Sequence, residues 1–344
     1  MDNNLSLRVL TCPDSLRQLS GEWAELCSRC PASTPFQRPE WLLPWIQAFH
    51  TRDLYVLEAR DQQRLVGLAP LFLYKRPGDT ILAPLGAGIT DYLDWIIDPA
   101  LESQVLRGFL DFLQHSDAGW DRLEMTDLPA GSALLRSGLP AQHCRQSNAC
   151  PVLFIAPGAK CLTDVVPAKK RRNLINARNR ARREGNVSIE IAGEAQLNEL
   201  LDAMLRLHTT RWNESGKPGV LADPAVQEFH RLAAPLLLRS GVLRFYGLRF
   251  ERKLIATLYA LVDPQIAYCY LQGFDPRYRE LSPGAQLLGA VIEDAIRDGK
   301  RAVDFLRGQE PYKYSWGARD EFTYTLQFGR RVVNSSPTMT ETAA

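Results

Sequence analysis

The chain has 344 residues, 45% of them hydrophobic and 23% charged, with a net charge of +2. That length suits two compact cores better than one, and those proportions exclude a disordered or fibrous chain. No apolar run approaches the roughly 20 residues of a membrane span, and the start, MDNNLSLRVLTCPD, lacks the basic and apolar blocks of a secretory signal.

The seven cysteines stand at 12, 27, 30, 144, 150, 161 and 269. Cys27 and Cys30 make one CxxC, but no second pair or paired histidine completes a metal site. Reduced thiols, a cytoplasmic location and no metal are the expectations. None of the five histidines pairs with another, and His208, after an apolar stripe, reads as a helix-face residue rather than a base.

In chain order, LSLRVL (5–10) predicts a strand. Residues 15–30 place apolar side chains at helical spacing, and 40–50 predict a short helix with Trp41, Trp45 and Phe49 on one stripe. Residues 54–74 predict a hairpin of two strands, 54–60 and 64–74, turning at Asp61-Gln62-Gln63. Strands follow at 81–85 and 95–97, with the acids Asp91 and Asp94 between them. A helix over 101–115 and a strand over 120–125 come next. Residues 130–168 read as an irregular linker with short strands near 143–144 and 152–155.

Lys169 to Arg183 then carries eight basic residues and no acid. Leu174, Ala177 and Ala181 give it a narrow apolar stripe, so the helix docks on one thin face. Its basic face is either simply solvated or attracts phosphates. A strand over 187–192, a helix over 194–213 and a helix opened by Asp223-Pro224 follow.

The hairpin 243–261 repeats the layout of 54–72, with Leu54, Arg60, Leu65 and Val66 falling on Leu243, Arg249, Leu254 and Ile255. Ile97-Asp98-Pro99 matches Phe274-Asp275-Pro276, the helix 101–115 matches 284–297, and the strand 121–125 matches 302–306. A duplicated α/β unit is expected. Only the second copy has Ser282-Pro283-Gly284-Ala285 before its helix, which leaves backbone N–H groups uncovered as a phosphate cradle. After it, DFLRGQEPYKYSWG (304–317) crowds polar and aromatic groups at a strand end. Strand-end loops commonly carry the chemistry of such folds.

In this order, KKRRNLINARNRARREG, LHTTRWNESGKPG, GFDPRYRELSPGAQLL and VDFLRGQEPYKYSWG resemble the GNAT acyltransferases, within them the FemAB-like branch and its CelD/BioF2-like acetyltransferase domain. TPFQRPEWL and DYLD extend the likeness to residues 30–330. The resemblance implies two GNAT-like domains in tandem, an α/β fold with mixed, mostly antiparallel sheets. Residues 1–160 would form the acceptor side, 161–334 the acyl-donor side, and 335–344 a disordered tail. Acyl-CoA, acetyl-CoA or another thioester, would be the co-substrate, with no permanently bound cofactor. Its pyrophosphate would lie at Arg279, Ser282, Gly284 and Ala285. The usual loop has further glycines that this one lacks, which leaves a different acyl donor open. The acceptor, an amine or hydroxyl, would lie between the domains near Trp41, Asp91, Asp94, Arg211 and Trp212. Asp304 would position or deprotonate it, Tyr312 or Tyr314 would protonate the leaving thiolate, and Lys313 and Arg307 would hold an anionic group. Relatives in the branch work in cell-wall bridge synthesis and in cellulose or exopolysaccharide gene clusters. Two alternatives follow: aminoacyl-tRNA as donor, supported by the basic helix, and an inactive partner in a polysaccharide synthesis complex, supported by the glycine-poor loop.

Overall fold

The computed structural model describes residues 5–116, 119–137, 143–214 and 219–329, without the side chains of 143 and 210–214. The first half comprises β1 (Leu5–Leu10), α1 (Pro13–Arg29), α2 (Pro39–Ala48), β2 (Val56–Asp61), β3 (Arg64–Ala69), β4 (Leu71–Arg76), β5 (Asp79–Pro84), β6 (Ile96–Ile97), α3 (Glu102–His115), β7 (Arg122–Pro129), α4 (Ala133–Arg136) and β8 (His143–Phe154). The second comprises α5 (Ala168–Glu184), β9 (Val187–Ile191), α6 (Glu194–Glu214), α7 (Pro224–Arg239), β10 (Leu243–Phe250), β11 (Lys253–Val262), β12 (Ile266–Phe274), α8 (Pro283–Arg297), β13 (Ala302–Asp304), α9 (Pro311–Tyr314) and β14 (Arg319–Gly329). The tail expected over 335–344 lies outside the described residues.

Local chemistry accounts for most of these boundaries. Asp223 caps α7 by accepting the Ala225 amide at 2.8 Å, with Pro224 in the first turn. The helix α5 buries only Leu174, Ala177 and Ala181. The CxxC ends α1, where burial raises Cys27 to about 11 and Cys30 to about 12. Among the described residues no group of His, Cys, Asp and Glu is gathered to hold a metal. None of their helices is long and apolar enough to cross a membrane.

Two sheets result, one of order β1-β2-β3-β6 and one of ten strands, β4-β5-β7-β14-β8-β13-β12-β11-β10-β9. Among the described residues only β12–β13 and β5–β7 pair in parallel, so the fold is α/β with mixed, mostly antiparallel sheets. Two expectations change. The strand read over 64–74 is two strands, because Pro70 has no N–H to continue a ladder; β3 stays in the small sheet and β4 passes to the large one. The linker read over 130–168 contains the twelve-residue β8, which lies between β14 and β13 near the sheet centre. Its Pro151 is tolerated there, its carbonyl accepting the Phe305 amide at 3.0 Å. The C-terminal strand β14 pairs with β7 of the first half, so the two halves share one sheet.

The duplication is visible in register. In β2–β3 the pairing slips from Ala59↔Gly67 to Arg60↔Leu65; in β10–β11 it slips from Leu248↔Ala256 to Arg249↔Leu254. Each bulged arginine reaches a helix acid, Arg60 to Glu22 at 2.8 Å and Arg249 to Glu199 at 2.6 Å. Asp98 donates its amide to Val66 and caps Ala100, as Asp275 donates to Ile255 and caps Arg277. The copies then diverge. β6 has two residues and β12 nine, and only the second copy interposes a left-handed Ser282 (φ 49°) before its helix.

Candidate active site

The strands β12 and β13 pair as Ile266↔Ala302, Ala267↔Val303 and Tyr268↔Asp304. β13 ends there, turns at Leu306 (φ 57°), and β12 runs on to Phe274. Where they part lies a cleft of about 360 Å³. Tyr270, Gln272, Phe305, Arg307 and Tyr312 form its walls, with Asp91 contributed by the first half. One end of the cleft reaches the start of α8, for the Gln272 Oε1 lies 3.8 Å from where a Cβ on Gly284 would stand. That oxygen is buried without a hydrogen-bond partner. Ser282 makes no side-chain cap; Pro283 has no N–H, and the Ala285 and Gln286 amides bond the Ser282 carbonyl at 3.1 and 3.2 Å, which leaves the Gly284 amide beside this space with the positive end of the helix dipole.

Arg307 reaches into the cleft and is held there by two acids, Asp91 at 2.5 Å and Asp127 at 3.2 Å. Asp127 also accepts from Asn148 at 2.7 Å. Burial raises Asp91 to about 6, against the opposing pull of Arg307. Tyr270 donates to the Ile89 carbonyl at 2.7 Å, tying the strand of one half to the loop of the other. Burial first, then Asp91, raises the Tyr270 phenol well above its usual value.

The remaining expected site residues divide by position. Tyr312 lines the cleft, whereas Tyr314 is turned away, its hydroxyl bonded to Asp320 at 2.7 Å. Asp304 is also turned away. Successive side chains at the strand end point to opposite faces, so Phe305 enters the cleft and Asp304 enters a second groove behind it. There it accepts the Tyr92 hydroxyl at 2.6 Å and the Leu306 amide at 2.7 Å, and burial raises it to about 7. The Lys313 ammonium is buried and donates to the carbonyls of Leu306, Arg307 and Gly308 at 3.0, 2.8 and 3.0 Å, with Glu310 at 2.9 Å. It holds the loop in shape and is not directed at an outside anion. Trp41 is fully buried, donates to Thr90 at 2.9 Å and stacks edge-on to Phe229 and Tyr270, so it backs the cleft wall. Asp94 is bound to the Trp95 amide and the Ser132 hydroxyl, outside the cleft, and burial raises it to about 7. Arg279 stands exposed in the loop before Ser282, and Ala285 lies in the first turn of α8. Arg211 and Trp212 belong to the end of α6, but their side chains lie outside the described residues.

Three residues of the site region were not singled out by sequence, Asp127, Tyr270 and Gln272, and His208, read there as a helix-face residue, lines the cleft. The alternation of QIAYCYLQGF was a signal for the strand pair, since Tyr270 and Gln272 share a face two residues apart. Nothing local marked Asp127, which joins through a long-range ion pair.

Residues 168–314 match the family model described as an acetyltransferase (GNAT) domain. The whole fold is similar to that of FemX, with 10% identity, 93% of this chain and 96% of that chain covered, and a TM-score of 0.66. It is also similar to a conserved protein of unknown function from Bacteroides thetaiotaomicron VPI-5482 (10% identity, 94% and 100% covered, TM-score 0.59). A third likeness is to the DUF2156 C-terminal domain of an Agrobacterium fabrum protein named for lysylphosphatidylglycerol synthesis (12% identity, 91% and 92% covered, TM-score 0.57). No curated protein matches this sequence. The segment from α5 to α9 thus matches the GNAT domain family, in a chain whose fold is similar to that of FemX across its length.

Proposed function

We propose that this chain transfers an acyl group from a CoA thioester to an amine or hydroxyl acceptor in the cleft where β12 and β13 part. The observation that carries the reading is the continuity of that cleft with the uncapped start of α8. A pyrophosphate at the Gly284 amide would be stabilised by that backbone donor and the helix dipole. Beyond Tyr268, β12 has no partner on the β13 side among the described residues, so an extended amide-bearing arm can bond to its edge. Gln272 offers a further buried group to that arm. The thioester then lies near Tyr270, Tyr312 and Arg307. In this reading Tyr312 protonates the leaving thiolate, and Arg307, held by two acids, orients the acceptor from the side of Asp91; their position in the cleft lining supports it.

The test is a thermal-shift titration with CoA, acetyl-CoA and longer acyl-CoAs on the wild type and on Gly284→Glu. A Cβ at Gly284 meets nothing closer than 3.8 Å, so the variant folds while placing a carboxylate where phosphate would sit. A rise in melting temperature that the variant abolishes is the expected result. No rise in the wild type contradicts the reading.

A second reading has its own observation. The outer face of α5 carries the exposed Lys169, Arg172, Arg182 and Arg183, and Arg180 bonds the Glu280 carbonyl at 3.0 Å beside the α8 loop. A donor carried on a polyanion, such as an aminoacyl-tRNA, would use that face. Salt-dependent binding of aminoacyl-tRNA, lost on charge reversal at Arg172 and Arg183, would favour it over a free thioester.

A further inference from the structure

Turning Asp304 away from the cleft leaves the transfer without its expected base. Asp91 is engaged by Arg307, and Tyr270 and Tyr312 are phenols suited to donate. Of the other titratable side chains in the wall, Glu310 is paired with Lys313 at 2.9 Å and burial raises the Cys269 thiol, which turns attention to His208 of α6. It is only 4% exposed, and its backbone is pressed against the strand that forms the cleft floor. A Cβ on Gly273 of β12 would lie 2.9 Å from the His208 nitrogen. The absence of a side chain at Gly273 therefore lets α6 bring an imidazole to the height of Tyr270 and Gln272. Behind it lies His230 of α7, fully buried, edge-on to Tyr259 at 5.5 Å and tilted against Tyr270 at 5.7 Å. Burial first, then the neighbouring His208, lowers His230 to about 3, so that ring stays neutral at physiological pH. The other charged groups lining the space are Arg307 and Lys313, and Asp91 and Glu310.

We infer that His208 is the catalytic base, taking the proton of the acceptor as its nitrogen or oxygen attacks the thioester carbonyl. The inference rests on the acyl-transfer reading above. In the forward step the acceptor lone pair forms a bond to the carbonyl carbon and its proton passes to the neutral imidazole. The tetrahedral oxyanion then collapses, the C–S bond breaks with its electron pair on sulfur, and the imidazolium returns the proton to the thiolate directly or across the Tyr312 hydroxyl. The products are the acylated acceptor and free thiol, with His208 restored. A positioned base of this kind contributes about 100- to 10,000-fold.

The experiment measures thiol release from acetyl-CoA with ethanolamine, water or hydroxylamine as acceptor, alongside acetyl-CoA binding by calorimetry. His208→Gln is expected to bind acetyl-CoA within about threefold of wild type and to lose ethanolamine- and water-dependent release about 100-fold or more. Its loss with hydroxylamine, which attacks well without a base, should be under about tenfold. Imidazole in solution should partly restore His208→Ala, and the acidic limb of the wild-type pH profile should vanish in both variants. Full ethanolamine-dependent release by His208→Gln overturns the inference. An equal loss with all three acceptors also overturns it, since that is the mark of a structural role. A wild type that binds acetyl-CoA yet cleaves it with no acceptor overturns it while sparing the donor site, whereas absent binding removes the acyl-CoA reading itself.

Discussion

Lys313 shows how a side chain that looks catalytic in sequence becomes structural in three dimensions. Its ammonium satisfies three carbonyls of the turn that carries Arg307, so Lys313→Met would leave them buried and unpaired. The expected loss is about 2–4 kcal/mol in denaturant unfolding, because buried groups stripped of a charged partner keep their desolvation cost. Unchanged stability with lost turnover would instead mean that the ammonium reaches a ligand. Asp304 gives a pH-dependent counterpart. Burial lifts it to about 7, while in the unfolded chain it titrates near about 3.9. The folded state therefore holds a proton that the unfolded state has released, and ionisation opposes folding. That stability is fully present below about pH 4 and is lost as pH rises through about 7. Relative to Asp304→Asn, the wild type should lose stability between about pH 5 and pH 8, on the order of 1 kcal/mol or more. A gap independent of pH would show that the carboxyl is not desolvated. The crowding of DFLRGQEPYKYSWG was legible in sequence, but which face each side chain takes was not. Facing depends on where β13 ends, and it ends at Asp304 because the chain turns at Leu306.

At the scale of elements, helical periods and caps were readable because they are local: Asp223-Pro224 starts α7 and Leu174, Ala177 and Ala181 dock α5 as their spacing predicts. The loop that opens α8 was readable as Ser-Pro-Gly-Ala for the same reason. The close contact of α6 with β12 was not, since it depends on a single missing side chain. Gly273→Ala would set a Cβ 2.9 Å from the His208 nitrogen and 3.1 Å from the Leu207 carbonyl carbon. Backbone must move, so a loss of about 1–3 kcal/mol is expected in thermal or denaturant unfolding, with slower transfer. Gly284→Ala, whose Cβ would make only ordinary contacts at 3.8 and 3.9 Å, should leave stability near that of wild type. Equal tolerance at both glycines would contradict the packing of α6 on the cleft floor.

The whole molecule is a duplication in which strands of both copies join the ten-stranded sheet, while β1, β2, β3 and β6 of the first keep one of their own. The repeat was legible through Arg60 and Arg249, which sit at the same bulge in both hairpins. The exchange of strands was hidden, because β8 and β14 find partners far away in sequence. A fragment of residues 161–344 would deprive β13 of β8 and β14 of both its neighbours. It should therefore fail to give the cooperative unfolding transition shown by the full chain, and circular dichroism of the two would check this. The shared sheet also brings Asp91 and Asp127 of the first half to Arg307 of the second, so the cleft is complete only in the intact chain. The most direct measurement of the central claim is hydrogen exchange with and without acetyl-CoA. The account predicts slowed exchange in 269–274, in the first turn of α8 from 284, and in 305–313, where the cleft runs from the parted strands to the helix start. Protection confined to the exposed face of α5 or to the groove behind Asp304, or none at all, would contradict it.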